Sequence, residues 1–145
     1  GGGGGNYGTR DSGKEAALFD SVKSGRQVSA QVTANDPTLC ETADRHLKED
    51  LNTDLRIFGT QLVANVHVDG EEGKYLIITA TANYVGGPLS ELALEKIEKL
   101  AGKKLPGTDV NVHGKGSWVD VGVVVRNVGT QSYMAVAFKI ANPNK

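Results

Sequence analysis

Three histidines and one cysteine carry most of the chemistry this sequence could offer. His67 and Asp69 stand two apart in an alternating stretch, NVHVDG, so they share one strand face. Glu71 and Glu72 follow in the next turn, and His113 ends a second alternating stretch, DVNVH. Imidazole nitrogens and carboxylate oxygens brought together across neighbouring strands form the donor set of a transition-metal site. His67, Asp69 and His113 are therefore the metal candidates, and a small-ligand or metal-dependent enzyme is the reading they would support. Cys40 is the only cysteine, which excludes an internal disulfide and any zinc site built from several thiolates. Its place near a predicted helix start would favour the thiolate, although a small residue in a first turn ordinarily serves packing. His46 reads as a helix residue that borders the core or takes a surface hydrogen bond. No nucleophile elbow, phosphate loop, paired acid–base signature or dinucleotide fingerprint is present, so no cofactor is expected.

A second candidate site lies in the C-terminal hairpin, predicted as strands over 117–127 and 131–141. Alternation sets Val119, Val121, Val123 and Val125 on one face with Met134, Val136, Phe138 and Ile140. The other face carries Trp118, Gly122, Val124, Tyr133, Ala135 and Ala137, which is apolar for a surface facing water. Small residues flanked by two aromatics suit the close approach of another layer: the helix of residues 14–23, a second subunit or a partner. Trp118, Tyr133, Val124 and Gly122 are thus the binding candidates, for a protein partner or for self-association through this hairpin.

The elements that must position these residues follow from periodicity. Residues 14–23 space Ala17, Leu18, Phe19 and Val22 as a short amphipathic helix ended near Gly25. Residues 26–33 alternate strictly, with Val28, Ala30 and Val32 on one face, and predict a half-buried strand. A long helix starts at Asp36-Pro37-Thr38, where Thr38 and Glu41 have capping-box spacing, and runs to Gly59 with Leu39, Ala43, Leu47, Leu51 and Leu55 as its apolar stripe. Strands over 60–69 and 74–84 enclose a Gly-containing turn. A second long helix runs from the Gly86-Gly87-Pro88 break to Gly102, and a short strand covers 109–113.

In order, residues 26–113 read β-α-β-β-α-β, a ferredoxin-like core within the α+β class: an antiparallel sheet with two helices on one face, preceded by a short helix and extended by the C-terminal hairpin. Val66, Val68, Leu76, Ile78, Ala80 and Ala82 would face the helices, leaving Asn65, His67, Thr79, Thr81 and Asn83 to water. RNA-recognition domains share this element order but place stacking aromatics on their central strands. The stretches QVSAQVT and KYLIITATANY lack that motif.

At 145 residues and a net charge of −1, the chain is sized for one domain and shows no electrostatic footprint for nucleic acid. Its longest apolar runs are strand-sized, far short of the ~20 residues of a membrane-spanning helix. Residues 1–13, GGGGGNYGTRDSG, read as a flexible linker ahead of one α+β domain over 14–145. A polyglycine start is similar to the spacer after the lipidated cysteine of mature bacterial lipoproteins. The expectation is a non-catalytic, envelope-associated or periplasmic binding or assembly module, touching membrane only through an N-terminal lipid anchor. The competing readings are the enzyme above and a domain excised from a longer protein.

Overall fold

A computed structural model of the chain describes residues 8–25, 27–58, 65–70, 75–84 and 115–141. The helix expected up to Gly102, the strand over 109–113 and His113 lie outside the described residues, as do residues 60–64 and 71–74 of the first hairpin. The elements are β1 (Thr9–Arg10), α1 (Ser12–Lys23), α2 (Pro37–Phe58), β2 (Asn65–Gly70), β3 (Tyr75–Asn83), β4 (Trp118–Val128) and β5 (Gln131–Ala141). The five strands form one antiparallel sheet in the order β1-β4-β5-β3-β2, so the fold is α+β.

Both hairpins fall where alternation sets them. β4 and β5 pair from Val128↔Gln131 to Trp118↔Ile140 across the two-residue link Gly129-Thr130. Gly129 holds φ at +63° and Thr130 does not share the positive sign, the pattern of a II′ turn with glycine first. β2 and β3 pair from Asn65↔Thr81 to Gly70↔Leu76.

The ferredoxin-like strand order is not the order of the described sheet, because β3 takes β5 as its second neighbour rather than residues 26–33. The described residues of that segment pair with the sheet at a parallel bridge between Val28 and Trp118, and then turn. Val28 and Val32 are buried while Ala30 between them is exposed. The even spacing read as a strand face therefore marks two anchor points of a turning connection.

The helices lie on opposite faces. Leu18, Phe19 and Val22 of α1 join Val66, Ile78, Ala80, Val121, Val123, Val125, Met134, Val136, Phe138 and Ile140 in one core. On the other face Leu39, Cys40, Ala43, Leu47 and Leu51 of α2 pack on Val124, Tyr133, Ala135 and Ala137. The strand face expected to be wet is thus roofed by α2, and Thr79 and Thr81 are 0% and 1% exposed.

The N-terminal boundary also moves. Thr9 and Arg10 pair with Asn127 and Arg126, and the Asp11 side chain caps α1 by accepting the Lys14 N–H at 3.0 Å. Gly8 holds φ at +64°, and a Cβ there would lie 1.6 Å from the Asn127 carbonyl oxygen, so only glycine lets the chain enter the sheet edge at this point. Residues 8–13 belong to the folded unit instead of the linker.

Candidate functional site

The face where α2 meets β2 and β3 gathers two of the histidines. Beside the leucine stripe, His46 and Asp50 lie one turn apart on α2; across from them His67 and Asp69 share a face of β2. The spacings match physically, since four helical residues rise about 6 Å and two strand residues about 6.7 Å. Each side supplies one imidazole and one carboxylate. His46 Nε2 lies 2.6 Å from Asp69 Oδ2, and His67 Nε2 lies 2.7 Å from Asp50 Oδ2. Helix and strand therefore run in opposite directions along this seam, with the donor of each paired to the acceptor of the other. The imidazoles stack between the carboxylates, centroids 4.2 Å apart and planes 9° from parallel.

An ionised carboxylate only accepts, so the proton facing each aspartate sits on Nε2. Asp50 Oδ2 also accepts from the Thr81 hydroxyl at 2.6 Å. Arg45 approaches Asp69 at 3.7 Å. Two buried atoms at this interface have no hydrogen-bond partner among the described residues, His46 Nδ1 and the Thr79 hydroxyl; Glu49 lies 3.9 Å from the former. A cleft of ≈ 490 Å³ is lined, among the described residues, by Glu41, Asp44, Arg45, Lys48, Glu49 and Asn52 of α2.

Two contacts fix how α2 lies on the sheet. At its start a Cβ on Gly122 of β4 would meet the Cys40 nitrogen and the Leu39 Cβ at 2.6 Å, so the first turn rests directly on the strand backbone. Further along, Arg126 of β4 grips Asp44 with two bonds of 2.6 and 2.9 Å, and Lys48 joins at 3.3 Å. Burial works against the Asp44 carboxylate, but these cations outweigh it and hold its pKa below the ordinary value. Burial pushes the Cys40 thiol up, away from the reactive thiolate, and its sulfur faces the Val123 carbonyl at 3.5 Å.

Among the sequence candidates, His67 and Asp69 do share a strand face, but they turn to different partners on α2 instead of converging on one point. Among the described residues no group of three or more His, Cys, Asp or Glu side chains is arranged to hold a metal ion. The binding candidates are interior. Trp118 and Val124 are 0% exposed and Tyr133 1%, and Gly122 lies under α2. Cover for that apolar face comes from the chain itself, and from α2, since α1 occupies the other side. Trp118 is not on that face at all. The ladder slips between Trp118 and Asp120, which turns the indole to the α1 side, flat against Phe138 at 3.7 Å between centroids. These four residues are core and present no surface to a partner. His46 and Asp50, which complete the seam, are the residues sequence reasoning missed. Their signal was a polar pair at i and i+4 flanking the leucine stripe, opposite a polar pair at i and i+2 on a strand.

Compared with known proteins, the chain matches no family model, no curated protein and no solved structure.

Proposed function

We propose that this chain is a non-catalytic binding or assembly module, held at the cell envelope by its glycine-rich N-terminal segment, and that it meets its partner through the cleft on the outer face of α2. The observation that carries this reading is the reciprocity of the seam: its two carboxylates and two Nε2 atoms satisfy one another and attach α2 to the sheet. The hairpin first expected to bind has both faces covered within the chain. The cleft keeps exposed charge of both signs: the side chains of Arg45, Lys48 and Glu49 are 58%, 42% and 59% accessible. Such a surface suits a polar, charged segment of another protein. The tether is supported by composition, since the five leading glycines offer no apolar surface to order them.

The test is to fill the cleft at its exposed rim. Glu41→Arg with Asn52→Arg, which leave the seam untouched, are expected to abolish the complex trapped by crosslinking in intact cells while the melting temperature stays unchanged. Equal recovery of the complex from the folded variant would overturn the proposed surface.

A further inference from the structure

Away from the seam, the start of α2 is fastened to β4 at one residue, Val121. The Asp36 N–H donates to the Val121 carbonyl at 3.0 Å, and the Val121 N–H donates to Asp120 Oδ1 at 3.0 Å, so both aspartates meet the outer edge of β4 at Val121. Asp36 also starts the helix. Its Oδ1 accepts the Leu39 N–H at 3.0 Å and its carbonyl accepts the Cys40 N–H at 2.9 Å. Asp120 stands where β4 slips register, and Lys139 of β5 is its cross-strand neighbour. The Lys139 ammonium is shared with the Tyr75 ring of β3, 5.5 Å from its centroid. One turn into the helix, Leu39 and Cys40 rest on Gly122 with no room between backbones. A force separating the two aspartates therefore acts on a contact without slack.

We propose that Asp36 and Asp120 form a proton-operated fastener: one proton shared between the two carboxyls holds the first turn of α2 on β4, and its loss sets two like charges against each other and lifts that turn. Two carboxylates sharing a site cannot both ionise freely. Burial first, and then the hydrogen bond and charge of Asp36, push the Asp120 carboxyl up to about 6. The hydrogen bond from Asp120, with those from the Leu39 and Thr38 N–H groups, holds Asp36 below the ordinary carboxylate range. Because the folded Asp120 binds its proton more tightly than the unfolded chain does, its contribution is complete below the unfolded value near 4. It is lost as pH rises through about 6. Asp36 has the opposite sign, contributing above the unfolded value and losing its contribution only in stronger acid.

Cys40 provides the readout. It is the only thiol in the chain, it is 7% exposed, and it sits in the turn that would lift. Alkylation of Cys40 by iodoacetamide is to be timed in the full chain and in Asp120→Asn, whose amide offers Asp36 a donor at every pH. Taking the ratio of the two rates cancels the titration of the thiol itself. The ratio is expected to be near one at pH 5 and to rise to between about threefold and tenfold at pH 8, the parent reacting faster. Asp36→Asn, which can still cap the helix, is expected to slow the parent's alkaline reaction to the same degree. A ratio that is flat with pH overturns the proposal, as does protection by Asp120→Asn that Asp36→Asn fails to reproduce.

Discussion

Asp50 accepts two hydrogen bonds on one oxygen, from an imidazole of β2 and a hydroxyl of β3, at a position 8% exposed. Truncating it leaves the enclosed Thr81 hydroxyl without its acceptor and the half-buried His67 imidazole without its carboxylate. Asp50→Ala is therefore expected to destabilise the fold by about 1–3 kcal/mol, read from denaturant midpoints at unchanged m-value. A loss within the noise of a surface substitution would mean that water replaces the carboxylate and the seam contributes nothing. Half of this seam was legible in the sequence. Strand periodicity alone places His67 and Asp69 together, and the leucine spacing puts His46 at the edge of the buried stripe. The pairing was not legible, because a polar residue on a strand reads as facing water unless the helix crossing above it is known to carry matching polar groups.

At the level of elements, the docking of α2 depends on a residue that lacks a side chain. Gly122→Ala introduces one methyl group against the Leu39 and Cys40 backbone, where neither wall is a flexible chain end. The expected cost is about 1–3 kcal/mol, visible as a lowered melting temperature. An unchanged melting temperature would show that the helix shifts freely over the strand. Both described helices and both hairpins follow from their periods, because long amphipathic repeats bury one stripe whatever they pack against. The failures share a different cause. Residues 26–33 alternate like a strand, yet their buried valines anchor a turn. Alternation sets Trp118 on one face with Tyr133, yet the slip at Asp120 reverses it. Neither a one-bridge connection nor a local bulge changes the hydrophobic pattern that alternation reads.

For the whole molecule, the outer edge of β4 is closed by the N-terminal segment, mostly without a strand. β1 covers Arg126 and Asn127; the Asp11 N–H and the Glu15 carboxylate meet Val125; the Asn35 carboxamide brackets Val123; Gln27 and Ser29 meet Trp118. A valine-rich edge left open is a template for pairing with another chain. Glu15→Ala removes the acceptor for the Val125 N–H and the bidentate partner of Arg10. It is expected to cost about 1–3 kcal/mol and to produce concentration-dependent association in sedimentation velocity. A variant that stays monomeric at high concentration would show that the remaining contacts suffice. The described residues of 8–36 thus strap one edge of the sheet, a role that glycine-rich composition at its start hides.

The lone indole of the chain is enclosed on the α1 side of the sheet, and the lone thiol lies on the α2 side. Each layer therefore carries its own natural reporter. Tryptophan emission follows the opening of one half of the interior, cysteine accessibility follows the other, and a single unlabelled sample reveals whether the two halves come apart together or in turn.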